Sequence, residues 1–210
     1  MTRLGKTLGP ERAARFYWEC ALLVMAKALR VPGADVFVFF APEGARRTIE
    51  QLVMARYGQF EGRFVPQSGQ TQPARIHNAL SHLHELGYAK KFVLTTDSPT
   101  LPQEYLVSAV KKLDAVDCVI GPTWTGGYYL LGMKKPDAAV FQGVEWGAGT
   151  ALGQTFDNLC ARGLSCHMLP RWQDIDNEDD LAFLEGTVRQ ADQARLRAIL
   201  FEGDHPPSKP

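Results

Sequence analysis

Acidic side chains at two places along the chain could do chemistry together. Asp97 lies two residues after the apolar run 91–95, and carboxylates recur at Asp174 and Asp176. A carboxylate at the carboxyl end of a buried strand lies where open α/β sheets bind ligands. A second acidic cluster that meets it there could hold Mg²⁺ or Mn²⁺ against a diphosphate. The sequence therefore favours chemistry on nucleotide sugars or nucleotidyl transfer.

The segment from Gly121 to Leu130 lies between these acidic positions and contains Gly126 and Gly127, followed by two tyrosines. Glycine lets a backbone approach a ligand closely, and Tyr128 could stack on a base or sugar. The same residues also suit a tight turn between two strands, with neighbouring tyrosines on opposite faces. Taken alone, the segment favours the turn.

Both acidic places also have structural interpretations. Asp97 precedes Ser98-Pro99 and could be a turn aspartate. Asp174 and Asp176 point to the same side if their segment is extended, which would let one of them complete a metal site. Asp176 or Asn177 could equally cap a following helix, where acidic residues, including Asp179 and Asp180, are favoured by the helix dipole. The capping and metal-binding interpretations are compatible.

The apolar periodicity predicts the elements that position these residues. Strand 128–133 follows 117–121 after a turn too short for a crossover, so antiparallel pairing is expected there. Residues 100–103 have the sequence of a capping box. The alternation predicts a three-layer α/β domain with a mixed, mostly parallel sheet. Helices are expected at 10–30, 43–57, 74–86, 100–113, 148–162 and from 178, and strands at 36–40, 63–66, 92–95, 117–121, 128–133 and 164–169.

The bulk composition is that of one soluble domain, expected over 1–200, with a disordered tail at 201–210. The 210 residues are 45% hydrophobic and 22% charged, and their formal net charge is zero. This charge balance argues against a nucleic-acid polymer as partner. No apolar run suits a membrane span and no signal peptide is visible, so the expected compartment is the cytoplasm. The four cysteines lack C-x-x-C spacing and are expected to be reduced core residues.

Four ordered motifs together resemble a bacterial glycosyltransferase-like family, formerly a domain of unknown function, that includes arsenosugar-biosynthesis-type glycosyltransferases. The family's G-[ST]-D-x-P is similar to residues 95–99, its G-P-x-x-D-G-G-Y-Y-L-x-G to 121–132, its tryptophan-glycine to 146–147, and its W-x-D-[VI]-D-T-x-x-D-L to 172–181. The resemblance runs from Thr2 to about Leu184. It implies the GT-A-like fold of nucleotide-diphospho-sugar transferases.

This resemblance implies a metal-dependent transferase acting on a nucleotide-activated sugar. The expected ligand is a nucleotide sugar or a nucleoside triphosphate, with Mg²⁺ or Mn²⁺ as cofactor. Asp97 and Asp176 are the expected catalytic residues, and Asp97, Asp174 and Asp176 the expected metal ligands. Residues expected to bind substrate are Arg3, Arg75, Thr96, Gly126, Gly127 and Tyr128.

The sequence also departs from the family pattern. Thr2-Arg3-Leu4 resembles the end of a glycine-containing loop, so that loop and the N-terminal strand before it are expected to be missing. Segment 67–76 keeps only part of another motif, including Arg75, and Thr125 stands where the family has aspartate. Alternatives are therefore a nucleotidyltransferase making a nucleoside-diphosphate product, or a non-catalytic nucleotide-binding or scaffold protein. An incomplete sheet also makes a homo-oligomer possible.

Overall fold

The computed structural model describes residues 4–187 and 194–201. Arg3 and residues 202–210 of the predicted tail lie outside these ranges. The helices are α1 (Leu4–Leu8), α2 (Pro10–Leu29), α3 (Arg46–Tyr57), α4 (Gln72–Glu85), α5 (Gln103–Lys112), α6 (Ala151–Ala161), α7 (Glu178–Thr187) and α8 (Ala194–Phe201), with short 3-10 helices at Glu43–Ala45 and Ala138–Phe141. The strands are β1 (Phe37–Phe40), β2 (Arg63–Pro66), β3 (Lys91–Leu94), β4 (Cys118–Pro122), β5 (Tyr128–Met133) and β6 (Cys166–Met168).

The larger sheet has the strand order β3-β5-β4-β6. Strand β5 pairs antiparallel with both β3 and β4, as the short turn before it predicts. Strand β6 runs parallel to β4, and an isolated parallel bridge between Thr123 and Trp172 continues this pairing. Strands β1 and β2 form a separate parallel pair. The predicted mixed α/β architecture is confirmed.

Helices cover both faces of the larger sheet because the strand side chains alternate in direction. Val119 and Tyr129 pack on one face with α5 residues, including Leu106. Ile120 and Tyr128 pack on the opposite face with residues of α4 and α6. These two apolar layers fix the carboxyl ends of β3 and β4, from which the candidate site is built.

The two sheets are linked through helices α2 and α4. Val38 of β1 packs in an apolar cluster with Leu22 and Met25 of α2. Phe39 of β1 meets His82 of α4 edge to face, with ring centroids 6.0 Å apart, and α4 also contacts β3. Within the described ranges, the chain before β1 forms the helices α1 and α2 and contains no strand.

Two details of the sequence predictions are wrong. Helix α5 begins at Gln103 with the extended Pro102 at its N-cap, so Thr100 lies before the capping position; the Thr100 hydroxyl instead accepts a 3.1 Å hydrogen bond from the Trp172 indole nitrogen. Cys160, predicted in the core, is exposed on α6, whereas Cys20 and Cys118 are buried. Across the described residues, no helix is both long and apolar enough to cross a membrane.

Candidate functional site

Asp97 lies just beyond the carboxyl end of β3. The ladder with β5 continues past the strand, since the Thr95 backbone N–H donates to the Tyr129 carbonyl oxygen at 3.0 Å. The Thr95 hydroxyl then donates a short hydrogen bond to Oδ1 of Asp97. The Asp97 carbonyl oxygen accepts a 2.9 Å hydrogen bond from the Ile175 backbone N–H. This bond joins two segments that are far apart in sequence.

Ile175 anchors the second acidic segment. Its side chain is fully buried in an apolar cluster with residues of α2, including Phe16 and Cys20. Asp174 and Asp176 flank this anchor, so burial of one isoleucine positions both carboxylates. The structure therefore brings this segment to Asp97, as the sequence predicts.

Asp174 is the most enclosed carboxylate of the segment, with 6% of the residue exposed. Its Oδ2 accepts a 2.5 Å hydrogen bond from the Thr125 hydroxyl, which lies 2.9 Å from the Thr123 hydroxyl. Its Oδ1 is buried and has no hydrogen-bond partner in the described part of the chain. A buried carboxylate oxygen without a partner is costly and requires an explanation.

The three carboxylates lie close enough for their charges to raise the pKa values of Asp97 and Asp174. Burial raises the pKa of Asp97 to about 6, and the charges of Asp174 and Asp176 add to this, while the Thr95 hydrogen bond opposes it. Burial also raises the pKa of Asp174, against the hydrogen bond from Thr125. The site thus concentrates negative charge in a poorly solvated place, which favours either protons or a bound cation.

The start of α7 confirms the capping interpretation. Oδ1 of Asn177 accepts a 2.8 Å hydrogen bond from the Asp179 backbone N–H. Asp180 accepts hydrogen bonds at Oδ2 from the backbone N–H groups of Asp176 and Asn177, and at Oδ1 from the Gln173 side chain. Asp180 is therefore structural, as expected, while Asp176 contributes only its backbone N–H to this network.

The acidic residues of the site fit a divalent cation by their chemistry. Within residues 4–187 and 194–201, no group of three or more His, Cys, Asp or Glu side chains is arranged to hold a metal ion. The donor chemistry nevertheless fits Mg²⁺ or Mn²⁺, because Asp97, Asp174 and Asp176 supply only oxygen ligands. The buried unpaired Oδ1 of Asp174 is a ligand atom without another partner. The metal stays a prediction.

The structure gives Gly126 and Gly127 structural roles in a tight turn. Gly126 has φ +84°, and a Cβ atom there would lie 1.9 Å from the Gly149 carbonyl oxygen. The Gly126 carbonyl oxygen also accepts a hydrogen bond from Leu152. Gly127 closes the turn by exchanging hydrogen bonds with Thr123. Close approach of this backbone to a ligand stays a prediction.

Tyr128, predicted to line the substrate pocket, lies in the core. It is 4% exposed and meets Trp146 edge to face at 4.9 Å between centroids. Tyr129 faces the opposite side and donates a 2.9 Å hydrogen bond to the Pro170 carbonyl oxygen. The predicted opposite orientation of the two tyrosines is confirmed. Tyr128 supports the site by packing, because its buried ring has no open face for a ligand.

The other predicted contact residues lie apart from the carboxylates. Thr96 is exposed beside Asp97. Arg75 on α4 donates a 3.1 Å hydrogen bond to the Gly69 carbonyl oxygen, and no hydrogen bond or ion pair among the described residues joins it to the acidic side chains. Arg3 is not among those residues.

A cavity of about 550 Å³, which no local sequence pattern predicts, borders the Asp97 loop. Its wall includes Thr100, three residues after Asp97, and Trp172, two residues before Asp174. Gln103 also lines the cavity, and its side-chain oxygen is buried without a hydrogen-bond partner among the described residues. Two of the basic residues that line the cavity lie close together in sequence near the end of α2. The third belongs to α3, and only the tertiary structure brings it to the same wall. The basic residues lining it are Lys27, Arg30 and Arg56.

Residues 24–148, more than half of the chain, match the bacterial family described as "Uncharacterized protein conserved in bacteria (DUF2064)". The chain belongs to this family. This assignment agrees with the glycosyltransferase-like resemblance drawn from the motifs. No curated protein matches this chain.

Solved structures show the same fold. A Desulfovibrio desulfuricans G20 protein named as a "putative nucleotide-diphospho-sugar transferase" is 27% identical, with a TM-score of 0.84 over 97% of this chain and 88% of its own. The 4-diphosphocytidyl-2C-methyl-D-erythritol synthase of Anaerococcus prevotii DSM 20548 is 13% identical, with a TM-score of 0.60 over 81% and 86% of the two chains. CMP:2-keto-3-deoxy-manno-octonic acid synthetase, complexed with CTP, is 12% identical, with a TM-score of 0.54 over 80% and 86%. The last two similarities concern the fold alone.

Proposed function

We propose that this protein is a transferase acting on a nucleotide-activated sugar, assisted by Mg²⁺ or Mn²⁺. The observation that carries the proposal is the meeting of Asp97 and Asp174 at the carboxyl end of β3, through the Ile175–Asp97 backbone hydrogen bond of 2.9 Å. Ligands of α/β sheets bind at this end of the strands. The resemblance to a nucleotide-diphospho-sugar transferase of 27% identity supports the substrate class.

The neighbouring cavity supports a ligand of nucleotide size. Its volume of about 550 Å³ lies within the usual range of small-molecule sites. The wall carries three basic residues, Lys27, Arg30 and Arg56, and one acidic residue, Glu104, so its net positive charge would attract a diphosphate. A metal ion held by the carboxylates, next to these basic side chains, would place several positive charges around one ligand. Such a site is suited to a ligand that carries several phosphate charges.

The acidic and threonine side chains of the site would have different roles. Asp97 and Asp174 would hold the cation, and Asp176 would add negative charge to the site. Thr95 and Thr125 orient the first two carboxylates through their hydroxyl hydrogen bonds. A bound cation would neutralise negative charge that develops on the leaving diphosphate. Oriented ligand groups lower the reorganisation that this stabilisation requires.

Two other functions remain alternatives. Nucleotidyl transfer is favoured by the shared fold with the two cytidylyl-compound synthases, and it would release pyrophosphate from a nucleoside triphosphate. A non-catalytic nucleotide-binding role is favoured by Thr125, which stands where the family pattern has aspartate. Thr125 donates a hydrogen bond to Asp174 from a neutral hydroxyl and adds no negative charge to the site. Product analysis separates these functions. Glycosyl transfer would release a nucleoside diphosphate, nucleotidyl transfer would release pyrophosphate, and a non-catalytic protein would form no product.

The proposal is tested by calorimetry with UDP-glucose, GDP-mannose, CTP and GTP, with and without Mn²⁺. At least one ligand is expected to bind in a Mn²⁺-dependent manner, and Asp174→Asn is expected to weaken it by about tenfold or more. Asp179→Asn is the matched control, because it removes the same charge from an exposed position on the same segment. Equal loss in both variants, or no binding by the unchanged protein, contradicts the proposal.

A second test restores a carboxylate to the turn. Thr125→Asp is expected to tighten Mn²⁺ binding, because it places a further oxygen ligand beside Asp174. Without metal, the same variant should be less stable, since the added charge repels the neighbouring carboxylates. Mn²⁺ titration and thermal unfolding measure both effects. Thr125→Asn, similar in size but neutral, controls for shape, and equal Mn²⁺ affinity in the two variants would remove Thr125 from the neighbourhood of the cation.

A further inference from the structure

Trp124 is unusually exposed for a large aromatic residue. It is 66% exposed, the highest value among the large exposed hydrophobic side chains in the described part of the chain. It lies in the turn between β4 and β5, which also contains Thr125 of the candidate site. A single exposed apolar residue needs no explanation by itself. The surroundings of Trp124 are what suggest a ligand.

The exposed indole is held in place by Arg171. The Arg171 guanidinium carbon lies 5.5 Å from the centroid of the Trp124 ring, in a cation–π arrangement. The same guanidinium donates a 2.9 Å hydrogen bond to the Thr123 carbonyl oxygen. The Arg171 guanidinium therefore contacts both the backbone before Trp124 and the Trp124 ring. Its remaining N–H groups are suited to an anionic ligand.

The backbone beneath the indole is equally constrained. The residues on either side of Trp124, Thr123 and Thr125, have hydroxyl oxygens 2.9 Å apart. The Thr123 backbone N–H donates to the Gly127 carbonyl oxygen at 3.0 Å, which closes the turn. Rigid aromatic side chains bind with little loss of conformational entropy. The turn thus presents the ring to solvent in a prepared orientation.

The same turn connects the indole to the acidic centre. Thr125, the next residue, donates its 2.5 Å hydrogen bond to Asp174. Trp172, the residue after Arg171, pairs with Thr123 in the parallel bridge and also borders the cavity. A ligand whose phosphates are held through a cation at Asp174 would therefore lie beside the turn that carries Trp124.

We propose that Trp124 and Arg171 form a stacking platform for a flat ring attached to the diphosphate of the ligand. This inference rests on the proposed function. Arg171 holds the indole and adds positive charge near the phosphates, and the exposed indole surface receives the ring. In a nucleotide sugar the base has such a planar ring, and the sugar ring has a C–H face that can also lie on an indole; the experiment distinguishes the two.

The test compares UDP with UDP-glucose, and GDP with GDP-mannose, by calorimetry in Mn²⁺. Trp124→Ala is expected to weaken the stacked ligand by about 5- to 150-fold, the range for loss of aromatic stacking on a ring. Trp124→Phe should retain most of the affinity. A similar loss for diphosphate and conjugate assigns the base to the platform. A loss confined to the conjugate assigns the sugar.

Controls separate this inference from the proposed function. Leu86→Ala removes an exposed apolar side chain elsewhere and should leave all affinities unchanged. Arg171→Lys keeps the charge but loses the planar fork, and should weaken the same ligand as Trp124→Ala does. If the unchanged protein binds and Trp124→Ala binds equally well, the platform is wrong while the function stands. If the unchanged protein binds none of these ligands, both are overturned.

Discussion

Asp97→Asn is expected to stabilise the folded protein at neutral pH and to abolish its Mn²⁺-dependent nucleotide binding. The stabilisation follows because burial and neighbouring charges raise the pKa of Asp97 from 3.8 to about 6. A rise of this size corresponds to at most about 3 kcal/mol of free energy that ionised Asp97 costs the fold. Asparagine keeps the shape and can still accept the Thr95 hydrogen bond, but it carries no charge.

The pH dependence has a definite sign. Folded Asp97 binds its proton more tightly than unfolded Asp97, so the folded state holds more protons between pH 3.8 and about 6. The contribution of Asp97 to stability therefore falls as pH rises through this window and stays low above it. Asparagine does not ionise, so Asp97→Asn does not undergo this loss of stability as pH rises. The free energy of unfolding of the variant should consequently exceed that of the unchanged protein above about pH 6.

Urea denaturation between pH 4 and 8, without divalent cations, measures the stability effect. Calorimetry with Mn²⁺ and the nucleotide ligands measures binding. Asp179→Asn again serves as the control, since its side chain is exposed and should change neither property appreciably. A variant that binds nucleotide as before would remove Asp97 from the site. A variant less stable than the unchanged protein at pH 8 would contradict the electrostatic explanation.

Gly126→Ala is expected to destabilise the protein by several kcal/mol and to disorganise the site. Its Cβ atom would lie 1.9 Å from the Gly149 carbonyl oxygen, far inside any allowed contact, and neither backbone can yield as a side chain would. The φ of +84° adds the strain of a left-handed conformation, about 1–2 kcal/mol for a residue with a Cβ. Displacement of the turn would also move Thr125 away from Asp174.

Gly33→Ala provides a matched control for the backbone strain. Gly33 has φ +72°, but a Cβ atom there meets nothing within 4 Å. Its substitution should therefore cost only the conformational strain, and the excess loss in Gly126→Ala measures the collision with Gly149. Thermal and urea unfolding of both variants give this difference. Equal losses would mean that the two turns can separate without cost.

Much of the fold follows from local sequence. The apolar runs place β1, β3 and β5 within about a residue of their observed bounds, and the short turn before β5 correctly implies antiparallel pairing. Asn177 caps α7 as its type predicts. These features depend on neighbours in the chain, whose hydrogen bonds and side-chain directions the sequence specifies directly. The capping box predicted at Thr100 is wrong because the helix begins later, with Pro102 at its N-cap, while the Thr100 hydroxyl accepts a hydrogen bond from the distant Trp172.

Some features of the candidate site also follow from the local sequence, and others only from the tertiary structure. The sequence by itself determined which residues could act, since Asp97, Asp174 and Asp176 follow from residue type and position at strand or helix ends. Only the tertiary structure decided that Ile175 brings the two acidic segments together and that Tyr128 faces the core. It also showed that Gly126 packs against Gly149. The reason is physical: burial, desolvation and collisions depend on atoms from distant segments, and no local pattern records which segments will meet.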